Sequence, residues 1–216
     1  MSIRPLLLGH RGARGIKSIP ENTFASFDRA LADGCDGFEF DVRLTRDGEA
    51  VVCHDAKAGE VEIAGARGEQ LPRLPRLKDV LERYGNNAFL DIELKVAGLE
   101  KTVVDLLARN KPTHGFVISS FLPEVLGSIY QEDSVLPLGL ICETRAQLNL
   151  WKNLPVEYVI PHRRLVRQEL IREIKGAGRK VLVWTVNGPA EMRRLAGWGV
   201  DGIIADDAKV LAQTVG

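Results

Sequence analysis

DGFEFDVRLTRDGEAVVCHDA, residues 36–56, predicts two strands joined by a tight turn at 46–48, with His54 at the end of the second. Along the first strand, apolar residues alternate with Glu39 and Asp41, which is the period of a strand with one apolar and one charged face. Both carboxylates therefore point the same way, about 6.6 Å apart. That spacing allows two acids to bind one cation, whose oxygen ligands lie at roughly 2.0–2.6 Å.

The alternation of Glu39 and Asp41 also suits a solvent-facing edge strand, because structural acids alternate on strands too. At ~6 Å and an effective dielectric of ~20, the two carboxylates repel each other by ~3 kcal/mol. If the strand is buried, we therefore expect a bound cation or a raised carboxyl pKa. This stretch alone leaves both interpretations open.

The rest of the chain alternates short apolar runs with helical periods, which is typical of β-α-β units and a parallel sheet. Asn22 or Thr23 is the expected cap of the first helix, 144–153 is predicted to be one helix, and 57–76 has no sustained period and is predicted to be a loop. Eight strand-helix units predict a compact (β/α)8 TIM barrel, with residues 49–54 as a short β-hairpin arm after strand 2. An open doubly wound sheet is the alternative, but no GxGxxG opens a helix after the first strand. The predicted barrel strands are 5–10, 38–44, 88–95, 115–121, 135–142, 156–162, 180–186 and 201–205.

Composition predicts one globular domain, residues 1–216, since 45% of the residues are hydrophobic and can build a sizeable core. The 29 basic and 29 acidic residues give zero net charge, so no overall field favours nucleic acid or an anionic membrane, and the partner must be inferred from a site. Residues 1–12 hold only a three-leucine run, too short for a signal peptide or a membrane span. We therefore expect a cytoplasmic protein whose three cysteines are reduced, and the oligomeric state stays open.

Polar side chains fall at the carboxyl ends of the predicted strands, where TIM barrels carry their active sites. Glu93 has the same inward parity as Glu39 and Asp41, so a third carboxylate joins the pair. Three hard oxygen ligands suit magnesium or calcium, with manganese possible, better than zinc or copper. The convergence of independent strands favours a metal site over scattered surface charge.

His10 and His54 flank this carboxylate cluster and are candidates for an acid and a base near neutral pH. Arg11 and Lys95 place fixed positive charge beside the acids, as counter-ions or as contacts for a phosphate. With a divalent cation bound, the pocket would be near neutral, so a phosphodiester monoanion could enter.

Three segments together resemble the glycerophosphodiester phosphodiesterase family: HRGARGIKSIPENTFASFDRALADGCDGFEFDVRLTRDGEAVVCHDA (10–56), DIELK (91–95) and VLVWTVN (181–187). The resemblance implies a TIM barrel in lipid and glycerol metabolism that hydrolyses glycerophosphodiesters to glycerol 3-phosphate and an alcohol with a divalent cation. It implies His10 and His54 as the acid/base pair, Glu39, Asp41 and Glu93 as metal ligands, Arg11 and Lys95 as phosphate contacts, and Trp184 as an apolar wall for the substrate.

Two stretches depart from the family's pattern. HDAKAGEVEIAGARGEQ (54–70) replaces the family's usual leucine and threonine-rich stretch, which leaves the preferred leaving alcohol open. Ala205 to Ala208 replace the family's usual Thr-Asp and nearby Pro, and we expect this change to affect the barrel mouth rather than the chemistry.

Two other functions remain open from the residues alone: a barrel lyase or isomerase using metal-stabilised enolate chemistry, and a catalytically silent phosphodiester-binding barrel. Enolate chemistry gives no reason for two histidines beside a phosphate-sized anion pocket, and a silent binder is expected to have lost a ligand or a histidine. For the phosphoryl step we favour attack by the substrate's neighbouring glycerol hydroxyl, which gives a cyclic phosphate, over direct attack by water.

Overall fold

The structure is a computed structural model that describes residues 4–216. Strands and helices alternate along the chain, as the sequence predicts. The strands are β1 (Leu6–Gly9), β2 (Gly37–Leu44), β3 (Ala50–Val52), β4 (Lys57–Ala58), β5 (Val61–Glu62), β6 (Phe89–Leu94), β7 (Phe116–Ser120), β8 (Leu138–Cys142), β9 (Tyr158–Pro161), β10 (Lys180–Val183) and β11 (Gly202–Ala205). The helices are α1 (Phe24–Ala32), α2 (Leu77–Tyr84), α3 (Glu100–Arg109), α4 (Pro123–Glu132), α5 (Arg145–Asn149), α6 (Gln168–Gly176), α7 (Pro189–Gly197) and α8 (Ala208–Val215).

Eight parallel strands close into a barrel in the order β1-β11-β10-β9-β8-β7-β6-β2, and β2 pairs back onto β1. The closing pairs, Leu8 with Gly37 and Gly9 with Phe38, exclude an open doubly wound sheet. The arm is also confirmed, because β3 runs antiparallel to β2 with Val42 opposite Val52. The (β/α)8 barrel with a hairpin arm therefore agrees with the prediction.

Two layers of side chains fill the molecule, one between strands and helices and one inside the barrel. In the outer layer, Phe38 of β2 stacks on Phe27 of α1 with ring centroids 4.2 Å apart, and Tyr84 of α2 meets Phe38 edge-on at 5.0 Å. Inside the barrel, β2 and β6 contribute acids, whereas most of the other inward positions are apolar. That inner apolar cluster comprises Leu8, Phe89, Val117, Ile141, Tyr158, Ile160, Leu182 and Ile204.

The segment 57–76 differs from the expected loop. It contains the two-stranded hairpin of β4 and β5 and two single 3₁₀ turns, Ile63–Gly65 and Gly68–Gln70. Strands of two residues are too short to show a period of two, so no sequence pattern could reveal them.

One helix boundary differs from prediction, and for another the structure decides between the two predicted caps. The predicted helix 144–153 divides into α5 and a 3₁₀ turn, Leu150–Asn153. Thr23 caps α1 by accepting a hydrogen bond from the backbone N–H of Ser26, whereas Asn22 lies in the left-handed region at φ 57°. Across residues 4–216 the helices are short, and none is long and apolar enough to cross a membrane.

Candidate active site

Three buried carboxylates meet at the mouth of the barrel because of the register between β2 and β6. Asp41 pairs with Glu93 in the ladder, and Glu39 lies two residues earlier on the same inward face. The three side chains each offer an oxygen within 4.8 Å of the others. Asp41, Glu39 and Glu93 are only 1%, 4% and 7% exposed. The structure therefore brings together the three acids that the sequence proposed as metal ligands.

Several features of this cluster fit a divalent cation. Glu39 Oε1 and Asp41 Oδ1 are buried without a hydrogen-bond partner, although Lys95 Nζ lies 3.3 Å from Asp41 Oδ1 in an ion pair. Burial and the neighbouring Asp41 charge raise the pKa of Glu39 well above its usual value. The same two causes raise the pKa of Glu93 to about 7. A hard cation would satisfy the free oxygens and replace the protons that these acids otherwise retain.

Two fixed cations lie against the acids. Lys95 Nζ donates to Glu93 Oε1 at 2.6 Å, and Arg11 Nε lies 3.3 Å from Asp41 Oδ2. Burial acts to raise the pKa of Asp41, but the charges of Lys95 and Arg11 outweigh it and hold that pKa below its usual value. Both cations thus stand where the sequence expected them, as counter-ions at the edge of the cluster.

A loop before α1 supports the cluster from the side. Glu21 accepts hydrogen bonds from Arg11 Nη1 at 2.6 Å and from Arg14 Nε at 2.8 Å. Asn22 Nδ2 donates to Asp41 Oδ2 at 2.8 Å. Sequence reasoning gave Glu21 and Asn22 no role in the site, because a loop has no period from which to infer the direction of a side chain.

The turn after β1 supplies a backbone donor to the cluster. Arg11 adopts φ 51° and Gly12 φ 81°, both in the left-handed region, where a non-glycine residue is strained. This turn directs the Arg11 N–H at Glu39 Oε2, 2.9 Å away. A side chain at Gly12 would overlap Ser26, so the turn requires glycine there.

His10 lies between an acid of the cluster and Asp206, the first residue after the last strand. Its Nδ1 lies 2.7 Å from Asp206 Oδ1, and its Nε2 lies 3.8 Å from Glu39 Oε2. Asn187 holds Asp206 in turn, since its Nδ2 donates to Asp206 Oδ2 at 2.6 Å. Burial lowers the pKa of His10, while the hydrogen bond to Asp206 opposes that effect. When Nδ1 donates to Asp206, Nε2 is the nitrogen that faces the cluster.

Residues 205–208 lie closer to the site than we expected, because Asp206 contacts His10 directly. The sequence could have shown the direction of the Asp206 side chain, although not its partner. Asp206 lies two positions after Ile204, which is part of the apolar cluster inside the barrel, so the period of the strand places both on the inward face. The same rule applies to Asp91, which is two positions before Glu93 and fully buried. Ser119 donates to Asp91, and burial raises the pKa of Asp91 to about 7.

His54 occupies the opposite, more open side of the mouth, after the end of β3. Its side chain is 36% exposed, and its Nδ1 lies 2.8 Å from Asp55 Oδ1. Its backbone carbonyl accepts a hydrogen bond from Arg43 Nε at 2.8 Å, which fixes the chain here. His54 is therefore anchored through its backbone, while its ring faces the cavity.

A cavity of about 300 Å³ joins these parts. Trp184 forms part of its wall, meets Phe121 edge-on at 5.5 Å, and donates from Nε1 to the Ile160 carbonyl at 2.9 Å. Every residue proposed for the site lines this cavity except Asp41, which is buried beneath its wall. One side is charged and the other apolar, as the full lining shows: His10, Arg11, Glu39, His54, Asp91, Glu93, Lys95, Glu143, Phe121, Ile141, Ile160, Trp184 and Ile204.

Comparison with known proteins gives a consistent result. The sequence model of the glycerophosphoryl diester phosphodiesterase family matches residues 10–66 and 57–210. A glycerophosphodiester phosphodiesterase of Caldanaerobacter subterraneus subsp. tengcongensis is 32% identical, over 99% of this chain and 98% of the relative.

Solved structures show the same barrel. A glycerophosphodiester phosphodiesterase of Thermotoga maritima superposes with a TM-score of 0.86 at 23% identity, covering 99% of each chain. An Oleispira antarctica phosphodiesterase, solved with the product sn-glycerol-3-phosphate, superposes with a TM-score of 0.86 at 25% identity, covering 98% of this chain and 96% of the other.

Proposed function

The chain belongs to the glycerophosphoryl diester phosphodiesterase family, and from this premise we propose that its barrel mouth hydrolyses glycerophosphodiesters to glycerol 3-phosphate and an alcohol. One observation carries the proposal: in a family member, three buried carboxylates, two of them with an oxygen that has no hydrogen-bond partner, and two histidines lie in or directly beneath the wall of one cavity. The activity is that of a phosphoric diester hydrolase.

We propose that Glu39, Asp41 and Glu93 hold the divalent cation. Three hard oxygen ligands suit magnesium or calcium first, with manganese also possible. When bound, such a cation supplies Lewis-acid polarisation of a phosphoryl oxygen. Arg11 and Lys95, already beside the acids, are suited to orient the remaining anionic oxygens of the diester.

The apolar side of the cavity offers a surface on which the glycerol moiety can pack. Trp184 presents its ring there, while its indole N–H is already used by the Ile160 carbonyl. The carbon face of glycerol would pack on this wall, and the Glu143 carboxylate at the rim offers acceptors for hydroxyl groups. We therefore propose Trp184 as a substrate-positioning residue.

The two histidines differ in surroundings, which suggests different tasks. Burial lowers the pKa of His10, so its ring is neutral near pH 7, and Asp206 keeps Nε2 free to accept a proton. His54 lies at the open side, where a departing alcohol would leave. We propose His10 as the base and His54 as the acid that protonates the leaving group.

The base would deprotonate the substrate's own glycerol hydroxyl next to the phosphate. That oxygen bonds to phosphorus, the bond from phosphorus to the alcohol oxygen breaks, and His54 protonates the alcohol; water then opens the cyclic phosphate to glycerol 3-phosphate. No serine, threonine or cysteine lies among the described residues that line the cavity, which disfavours an enzyme-bound ester on such a side chain.

A diester in which the glycerol hydroxyl next to the phosphate is methylated should bind but not turn over. Turnover near that of the parent would favour direct attack by water instead.

We further propose that residues 1–216 act as a single cytoplasmic domain on small-molecule substrates without nucleic acid. The ring of strands and helices runs from Leu6 to Val215, and the zero net charge gives no overall field that would attract nucleic acid. Cys35, Cys53 and Cys142 are free thiols, and burial raises the pKa of Cys35 and Cys142 to about 12. Such thiols are inert packing residues, as is usual in a reducing compartment.

The function is tested by measuring glycerol 3-phosphate release from a panel of glycerophosphodiesters by chelator-treated protein, before and after magnesium, calcium or manganese is returned. We expect release only with cation present. A phosphate monoester serves as the control and should not be cleaved. Release that persists in chelator would contradict the metal centre, and binding without release of any diester would indicate a silent barrel.

A further inference from the structure

A second, larger cavity of about 590 Å³ has no role in the site described above. It lies beside the 300 Å³ cavity lined by the carboxylates, called the acid cavity below. It is a groove between the loop before α1, the end of β3 and the segment 55–75. His54 lines both spaces. Asn22 also lines the groove, and its side chain holds Asp41 of the acid cluster. The groove therefore begins where the acid cavity ends.

We propose that this groove, residues 20–23, 52–59 and 70–75, binds the alcohol half of the substrate and prefers alcohols that carry a negative charge. This inference rests on the proposed function, since it needs the phosphate to lie at the acids. With glycerol against Trp184 and His54 protonating the leaving oxygen, the alcohol would extend past His54 into the groove.

The lining of the groove suits a short apolar body. Val52, Leu71 and Leu74 form part of it, together with three prolines, Pro20, Pro72 and Pro75. Its volume is ample for a small alcohol, because ligand pockets generally measure ~300–1,000 Å³. Among the described residues that line the groove, none is phenylalanine, tyrosine or tryptophan. A quaternary ammonium group would thus find no aromatic face for a cation–π contact.

The charged groups of the groove favour an anion. Glu21 is already occupied by Arg11 and Arg14, at 2.6 and 2.8 Å. Asp55 is already bonded to the His54 ring at 2.8 Å.

Lys57 and Arg73 are the other two charged residues of the lining, and within residues 4–216 neither has an acidic partner within 4.0 Å. The acids of the groove are thus occupied and its cations are free. An alcohol with a carboxylate or sulfonate would receive hydrogen bonds from these two side chains, which a neutral alcohol could not accept as strongly.

A set of three diesters tests this preference, each joining glycerol 3-phosphate to a three-carbon or similarly small alcohol. The alcohols are 3-hydroxypropanesulfonate (anionic), 1-propanol (neutral) and choline (cationic). With cation-loaded protein at low salt, we expect kcat/KM for the sulfonate to exceed that for the propyl diester about fivefold, as contacts with exposed charges give modest effects. Choline should be the poorest of the three. Added salt should reduce the sulfonate preference, because salt screens exposed charges.

Two variants locate the effect. Lys57→Gln and Arg73→Gln should each lower the ratio of sulfonate to propyl kcat/KM, and together they should bring it near one. Lys101→Gln is the matched control, since Lys101 is exposed on α3, away from the groove lining. Melting curves of all variants confirm that they are folded.

A wild-type ratio near one, a ratio unchanged in the double variant, or faster turnover of the choline diester would each overturn the inference while leaving the proposed function intact. Absence of glycerol 3-phosphate from all three diesters would overturn the proposed function, and this inference with it.

Discussion

At the scale of single residues, Asp41 is the point where the charges of the site meet. Lys95 and Arg11 each lie 3.3 Å from one of its oxygens, and Asn22 donates to it at 2.8 Å. Its buried Oδ1 has no hydrogen bond, which marks it as available to a cation. The surroundings therefore hold Asp41 ionised while Glu39 and Glu93 tend to keep protons.

The first prediction is that Asp41→Asn and Glu39→Gln each lose most of the affinity for magnesium and calcium. Both changes keep the size of the side chain but remove a negative charge from a site that needs it. Isothermal titration calorimetry measures the effect. Asp105→Asn, half-exposed on α3, is the control and should bind like wild type. Wild-type affinity in both cluster variants would mean that the cation binds elsewhere.

A second prediction concerns Asp206. Burial acts to raise its pKa, but hydrogen bonds from His10 and Asn187, with Arg14, hold that pKa far below its usual value. A carboxyl whose pKa is depressed on folding stabilises the folded state above its unfolded pKa of ~4, and this stabilisation is lost as pH falls through the folded value. Near pH 6, wild type should be more stable than Asp206→Asn by about 1–3 kcal/mol.

That difference should shrink as the pH falls from ~5 towards 2, as measured by urea unfolding at each pH. Asp133→Asn serves as the control, since Asp133 forms no salt bridge among the described residues. A difference between wild type and Asp206→Asn that stays constant across this range would show that the Asp206 charge does not stabilise the fold.

At the scale of strands and helices, the period of two explains why most of the site could be predicted. Alternation along β2 and β6 fixes which acids share the inward face, and the end of each strand fixes its level in the barrel. The contact between His10 and Asp206 joins residues 196 positions apart and depends on the pairing of β1 with β11. No local pattern could reveal it before the barrel was known to close. The hairpin of β4 and β5 could not be predicted either, because strands of two residues are too short to show a period of two.

A third prediction tests the close pairing of β2 and β6. A Cβ at Gly37 would overlap the backbone of Phe89 on the neighbouring strand, where neither strand can move freely. Gly37→Ala should therefore destabilise the fold by several kcal/mol or prevent folding, because overpacking forces the backbone to shift. Gly127→Ala is the matched control: Gly127 lies within α4 with no neighbour within 4 Å of a new Cβ. It should raise stability by about 0.5–1 kcal/mol.

Urea unfolding of the two alanine variants, with wild type alongside, compares their stabilities. Equal stability of Gly37→Ala and wild type would contradict the strand packing described for β2 and β6.

At the scale of the whole molecule, the mouth of the barrel divides at His54 into an acid cavity and a groove. The acids of β2 and β6 are built into the wall of the barrel, so a cation bound there is linked to folding. A cation at ~100 times its dissociation constant adds ~2.7 kcal/mol to the stability of the folded state.

The fourth prediction is therefore that chelator lowers the melting temperature, by roughly 5–10 °C for a domain of this size. Differential scanning calorimetry with magnesium, calcium or manganese, and then with excess chelator, measures the shift. Glu39→Gln should show little of it. An equal shift in wild type and Glu39→Gln would place the stabilising cation outside the carboxylate cluster.

The central claim is that two imidazoles at the mouth of this barrel carry the protons of glycerophosphodiester hydrolysis. The most direct measurement is the rate of glycerol 3-phosphate release by cation-loaded wild type, His10→Ala and His54→Ala, with cation affinity measured on the same samples. Each variant should lose on the order of 10²–10⁴ in rate while binding the cation as wild type does. Turnover within a few-fold of wild type in either variant would remove that histidine from the mechanism and contradict the assignment of the site.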